Sequence, residues 1–194
     1  MMFDNLKKYK ILLASKSPRR RELLQQLRLP FKTISIGGIE EKYPPSLPVD
    51  HIPEYLSNLK ADAYNKNLRD DEMVITADTL VILGNEVLGK PDGHDDAVKM
   101  LKKLSGRTHK VITGVTVSTS DKRTSFSTTT EVKFADLSDD DIEYYVDNYL
   151  PFDKAGAYGI QEWIGCVAVE AIDGSFYNVM GLPVHRLFKE LKDF

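Results

Sequence analysis

Cys166 is the only cysteine in the chain, so no intrachain disulfide framework is possible. That scarcity fits a reducing compartment, and a cytoplasmic location is the expectation. No apolar run approaches the roughly 20 residues that cross a bilayer. Met1 to Asn5 also lacks the apolar stretch of a signal peptide, so no membrane partner is expected. Charge of one sign is not in excess either. The 26 Lys and Arg against 29 Asp and Glu give a formal charge of −3, which leaves no global basic field to hold nucleic acid. Any polyanion site must therefore be local. The four histidines, His51, His94, His109 and His185, stand in unrelated contexts, and none has zinc-ligand spacing with Cys166. A Walker loop, a dinucleotide fingerprint and a Gly-x-Ser-x-Gly elbow are all missing, which argues against P-loop, Rossmann and serine-hydrolase chemistry. There is no internal repeat and no low-complexity tract.

What is present is the composition of an ordinary globular protein, 42% hydrophobic and 9% aromatic, long enough to bury a sizeable core. Ile11–Ala14 reads as a short buried strand, Pro18 to Arg28 as a helix on Leu23, Leu24 and Leu27, and Phe31 to Ile36 as an alternating strand. Pro48 to Asn65 reads as a helix with Ile52, Tyr55, Leu56, Leu59 and Ala63 as its apolar stripe. Met73 to Leu83 is the clearest strand, turned by Gly84-Asn85 into Glu86–Leu88. Further helices are expected over Asp95–Leu104, from Ser138 onward and over Pro183–Leu191. Strands are expected over Lys110–Ser118, Thr124–Phe134 and Val167–Ile172. Helices alternate with strands while hairpins interrupt a purely parallel order, so the fold class is α/β with a mixed sheet.

The segment Ser15-Lys16-Ser17-Pro18-Arg19-Arg20-Arg21 is the first candidate for chemistry. Ser17 then Pro18 is a helix-start signal, so three arginines fall in a first turn where free N–H groups already make the end positive. Each cation misplaced there costs about 0.3–1 kcal/mol. Such a turn suits a bound polyanion, phosphate above all, or else it is a solvated basic turn paired with nearby carboxylates. Asp78 interrupts the apolar strand Val74–Ile82. An ionised carboxylate there is expensive unless a cation, a metal or several donors compensate it, so it is a metal ligand, a base that polarises water, or a residue at a bend facing water. Glu41 in an acidic loop, Lys60 in a helix and Lys90 between Gly89 and Pro91 do not individually rise above solvated surface. The stretch Asp153 to Gln161 is dense in small residues and lets backbone approach a ligand; Tyr158 and Gln161 there either meet a base or belong to a tight turn. Tyr144, Tyr145 and Tyr149 form an exposed aromatic patch or one face of a packed helix.

Taken together, these segments resemble the Maf family of nucleotide pyrophosphatases, first named for an effect on septum formation. The resemblance runs from Leu12 to about Pro183. It rests on Leu13-Ala14-Ser15-Lys16-Ser17-Pro18-Arg19-Arg20-Arg21-Glu22-Leu23-Leu24, Ala77-Asp78-Thr79, Gly89-Lys90-Pro91, Thr113-Gly114-Val115, Asp153 to Gln161, and Gly181-Leu182-Pro183. It implies a single domain over residues 1–194, with two lobes of mixed sheet and flanking helices around a cleft, as in the ITPase-like fold, and a homodimer. It implies cleavage of nucleoside triphosphates between the α and β phosphates to a monophosphate and pyrophosphate, with Mg²⁺ or Mn²⁺. Asp78 then matches the catalytic carboxylate, with Glu41 as its partner at the metal, and Lys60 and Lys90 match the catalytic lysines. Ser15 and Arg20 match substrate-binding positions, and Arg19, Thr79 and Gln161 those associated with preference for dTTP and UTP. A nucleotide-binding regulator of division without turnover is the alternative.

Overall fold

The apolar run Glu72–Leu83 becomes a long strand buried on both faces. The computed structural model describes residues 3–35 and 37–194. Strand β1 (Lys10–Ala14) lies between β2 (Phe31–Ile34) and β3 (Glu72–Leu83), parallel to both, with Ile11 opposite Phe31 and Met73. Parallel neighbours require crossovers, and helices α1 (Pro18–Gln26) and α2 (Ile52–Asn65) lie in the two connections. Strand β4 (Glu86–Leu88) folds back antiparallel on β3, so the hairpin expected at Gly84-Asn85 is present. After α3 (His94–Leu104), β5 (Thr108–Ser118) and β6 (Arg123–Phe134) form a hairpin closed by the Thr119 N–H donating to the Lys122 carbonyl, 2.8 Å. Helix α4 (Asp139–Tyr149) and two 3-10 turns lead to α5 (Trp163–Val167) and β7 (Val169–Asp173), antiparallel to β6. Helices α6 (Phe176–Val179) and α7 (Val184–Asp193) close the chain. The seven strands make one mixed sheet in the order β2-β1-β3-β5-β6-β7, with β4 on β3, which is the α/β class the sequence predicts.

The chain divides into two units. The first comprises Met1–Asp78, Thr113–Thr128 and Gly181–Phe194, and the second Thr79–Ile112 and Thr129–Met180. Strands β3, β5 and β6 contribute residues to both. In the second unit, Leu101 and Leu104 of α3, Ile142, Tyr145 and Val146 of α4, and Phe134 of β6 belong to one buried cluster. Side chains of that kind stabilise by about 1.5–3 kcal/mol each on full burial.

Four expectations are corrected. Helix α1 stops at Gln26, because Arg28 adopts a left-handed backbone with φ 53°. The strand expected over Phe31 to Ile36 is β2 and ends at Ile34; Ile36 lies outside the described residues, and burial along β2 does not alternate. The late strand begins at Val169 rather than Val167, because Trp163–Val167 winds into a helical turn in which the Ala168 N–H donates to the Ile164 carbonyl, 2.8 Å. Finally, α2 buries Ile52, Pro53, Leu56, Ser57 and Ala61, while Tyr55 and Ala63 are exposed. The cause lies in polar bonds beneath the helix. The Ser57 hydroxyl is 2.8 Å from that of Thr116, and the Thr76 hydroxyl donates to the Ser57 carbonyl, 2.7 Å. These bonds turn the Ser57 side of α2 onto the sheet.

Candidate active site

The rotation of α2 determines where Lys60 goes. Lys60 follows Leu56 by four residues and Ser57 by three, so it shares their buried face. Its ammonium donates to Asp78 Oδ1 at 2.5 Å and lies 3.0 Å from Glu41 Oε2. The Lys60 and Asp78 side chains are only 13% and 11% exposed, whereas Glu41 is 51% exposed on its loop. Gly114 on β5 sets the approach of the helix. A Cβ built on Gly114 would stand 2.2 Å from the Glu54 N and 2.3 Å from the Pro53 carbonyl group, so α2 begins directly against that glycine.

Asp78 occupies the last residue of β3 in the first unit and is buried. Burial pushes its pKa up from the usual carboxylate value; Lys60 and Arg20 pull it down and Glu41 reinforces the rise. Arg20 is the second cation. Its Nε donates to the Gly181 carbonyl at 2.8 Å and its Nη1 to the Ala77 carbonyl at 2.9 Å, so the first-turn arginine is braced against the residue before Asp78. Burial lowers the Arg20 pKa, with Asp78 opposing, and a guanidinium under such a shift still stays charged at neutral pH.

The start of α1 forms as its sequence predicts. Ser17 caps the helix by accepting from the Arg20 N–H at 3.4 Å, Pro18 opens it, and no acid stands in its first turn. Ser15 is buried and its hydroxyl oxygen accepts from the Ser17 N–H at 3.2 Å. A cavity of about 360 Å³ opens here, lined by Ser15, Lys16, Ser17, Pro18, Arg21, Thr33, Ile34 and Ser35. Of the three arginines, Arg21 lines this cavity, Arg20 reaches Ala77 and Gly181, and Arg19 is half-buried. Helix α4 is the contrast: Ser138 and Asp141 form a capping box, and Asp139, Asp140 and Asp141 fill the first turn, where the helix dipole favours acids.

In the second unit, Thr79 continues β3 and so points to the opposite face from Asp78. The Gly156 N–H donates to the Gly89 carbonyl at 2.9 Å, which ties Gly89-Lys90-Pro91 to the Asp153–Gln161 stretch. Lys90 and Gln161 are both exposed. Tyr158 departs from the base-contacting reading. It is buried against Phe134 and His109, with its hydroxyl 2.7 Å from His109 Nε2, because an aromatic cluster in the core takes its ring. Burial lowers the His109 pKa to about 4, so that imidazole is neutral at physiological pH. Nor is the tyrosine trio of α4 one exposed patch: Tyr145 is fully buried, and Tyr144 packs edge-on against Trp163.

The first unit thus gathers Arg20, Glu41, Lys60 and Asp78, with Ser15 at the start of α1; the second holds Thr79, Lys90 and Gln161. Sequence reasoning missed Ser57 and Thr116. The available signal was a serine between Leu56 and Lys60 facing a threonine-rich strand.

This chain matches the family described as Maf-like protein over residues 10–194. It is 56% identical over 191 residues to the dTTP/UTP pyrophosphatase of Phocaeicola vulgatus, covering 98% of this chain and 99% of that protein. The corresponding protein of Porphyromonas gingivalis is 52% identical over 195 residues, covering 100% of this chain and 98% of that one. That of Flavobacterium johnsoniae is 47% identical over 191 residues, covering 98% of each. Among solved structures, a HAM1 protein from Coxiella burnetii superposes with a TM-score of 0.55 at 14% identity, covering 96% of this chain and all of that one, which speaks for the fold alone. The match to the family and its relatives runs through every segment that carries Arg20, Glu41, Lys60 and Asp78, and the chain belongs to the Maf family.

Proposed function

We propose that this chain hydrolyses dTTP and UTP between the α and β phosphates, releasing the nucleoside monophosphate and pyrophosphate. The observation that carries this is Asp78, a buried carboxylate whose pKa is pushed up by burial while Lys60 and Arg20 stand near it. The activity named for the three relatives supports the substrate. Hydrolysis of an anhydride needs a proton removed from water and charge stabilised on the departing oxygens. A carboxylate with a raised pKa is the better base near neutrality. Asp78 takes a proton from water, the water oxygen bonds to the α phosphorus, and the anhydride bond breaks with its electron pair leaving on the pyrophosphate oxygen. Lys60 and Lys90 supply cations to the phosphate oxygens, and Ser15, Arg19 and Arg20 hold the polyphosphate.

Asp78 and Glu41 both reach the Lys60 ammonium, and their oxygens are the donor type that Mg²⁺ or Mn²⁺ selects. Among the described residues no group of three or more His, Cys, Asp or Glu is gathered. Two protein oxygens with water and phosphate completing the shell is the pattern such ions adopt with nucleotides. When bound, the cation supplies charge neutralisation on the phosphates and acidifies its water.

Two outcomes test this reading. Ion-exchange analysis after incubation with dTTP, UTP, CTP, GTP and 7-methyl-GTP plus Mg²⁺ or Mn²⁺ should give monophosphate and pyrophosphate chiefly from the first two. Diphosphate with orthophosphate would mean cleavage elsewhere, and no turnover would favour the non-catalytic regulator. The pH profile is the second. The ionised form of Asp78 is the active base, so kcat falls as pH drops through its raised pKa. Because Lys60 holds that pKa down against burial, Lys60→Met should move the acid limb to higher pH besides lowering the rate. A limb that stays in place would remove Asp78 as the titrating base.

A further inference from the structure

The Asp153–Gln161 stretch has few side chains of its own to fix it: Ala155, Gly156, Ala157 and Gly159 are small, and Gly156 and Ala157 adopt positive φ of 68° and 58°. Such backbone wanders unless something outside it supplies bonds. Tyr145 and Glu162 do so from outside the stretch, and through Glu162 they also fix its own Lys154. Tyr145 of α4, fully buried, accepts the Gly159 N–H at 3.0 Å on its phenol oxygen and donates its own proton to Glu162 Oε2. The other oxygen of Glu162 pairs with Lys154 Nζ at 3.1 Å, and Lys154, only 8% exposed, also bonds Asp153 Oδ1 at 2.8 Å. Gly159 lies against this pair, for a Cβ there would stand 2.9 Å from the Glu162 carboxyl carbon and 3.0 Å from Lys154 Cε. The network therefore brackets the turn on both sides, two residues before Gln161.

We propose that Tyr145, Glu162 and Lys154 are positioning residues for base selection, holding the backbone of Gly159–Gln161 so that the Gln161 amide meets the pyrimidine in one orientation. This rests on the reading of Gln161 as a contact to uracil or thymine. Uracil and thymine present a ring N–H donor beside a carbonyl acceptor, while cytosine presents a ring nitrogen acceptor beside an amino donor. A glutamine amide free to turn over satisfies either edge, because its oxygen and nitrogen simply exchange places. Discrimination requires that the amide cannot turn, and so requires a fixed backbone beneath it. Charge-assisted bonds in a largely buried setting are the strong kind suited to that task.

The test compares UTP with CTP, which differ only at that edge. Tyr145→Phe removes one hydroxyl and keeps the ring, which stacks on Tyr149 at a centroid distance of 5.1 Å. The UTP-to-CTP ratio of kcat/KM should fall about tenfold or more, while kcat for UTP stays within about threefold. Amide exchange over residues 155–162 should quicken in the same variant. Glu162→Gln keeps an acceptor for Tyr145 and removes the charge facing Lys154, so its ratio should fall less, and it replaces the phenylalanine variant should that one not fold. An unchanged ratio beside a lowered melting temperature would make the network merely structural and overturn the proposal. Gln161→Ala, run alongside, separates the two claims. If it collapses the ratio and Tyr145→Phe does not, positioning alone is wrong. If it too leaves the ratio unchanged, the base-contact reading itself falls.

Discussion

Asp78→Asn is expected to lower kcat on dTTP by roughly 10²–10⁴-fold, the range lost with a positioned general base. Binding of a non-hydrolysable analogue should weaken by less than the roughly tenfold that 1.4 kcal/mol represents. Asparagine keeps the size and one acceptor oxygen for Lys60 but cannot take a proton, so the acid limb of the pH profile should vanish with the activity. Residual turnover that keeps the limb would mean another group is the base, and kcat within tenfold of the parent would sink the assignment. Stability should separate from activity. Burial raises the Asp78 pKa in the folded chain above its unfolded value. Stability from the protonated form is therefore full below the unfolded pKa and lost as pH rises through the folded one. At neutral pH the ionised carboxylate weighs against folding. Lys60 retains Glu41 as a partner in the variant, so a thermal melt should shift little while turnover collapses.

Much of the fold was legible because its strands are plain. The apolar run through β3, the Gly84-Asn85 turn and the Ser138 cap are local signals, and each element forms where the residues place it. What was not legible depends on partners distant in sequence. The face of α2 is the clearest case. Counting apolar residues selects Tyr55 and Ala63, yet the helix buries Ser57, because Thr76 and Thr116 offer its backbone and hydroxyl bonds that hydrophobicity does not register. That rotation carries Lys60 from an ordinary exposed position to the side of Asp78. Tyr158 illustrates the reverse. Its glycine-rich neighbours suggest a ligand wall, while Phe134 and His109, each more than twenty residues away, claim its ring for the core. Arg20 is likewise set apart from its two neighbours by bonds to the Ala77 and Gly181 carbonyls, partners that the local run of three arginines does not register.

Gly114→Ala should damage both stability and turnover, and the two losses have one cause. The added methyl would stand 2.2 Å from the Glu54 nitrogen and 2.3 Å from the Pro53 carbon and oxygen, all of them helix backbone. No rotamer relieves such a contact, so α2 must move or β5 must bow. Overpacking of this kind costs about 1–3 kcal/mol, with the upper end apt where the neighbour is rigid. For a chain of this length each kcal/mol lowers the melting temperature by about 2–4 °C. Any displacement of α2 also carries Lys60 away from Asp78, and about 1 Å of misplacement in a catalytic arrangement can remove a factor of about 100. The expected result is thus a lower melting temperature together with a fall in kcat of at least about tenfold, measured well below that temperature. Gly37→Ala serves as the control, since among the described residues no heavy atom beyond Gly37 and its chain neighbours lies within 4 Å of its added methyl. A Gly114→Ala protein that melts early but turns over normally would show that Lys60 reaches Asp78 by its own flexible stem. Early melting with lost turnover would mean that the seating of α2 on the sheet sets the catalytic distance.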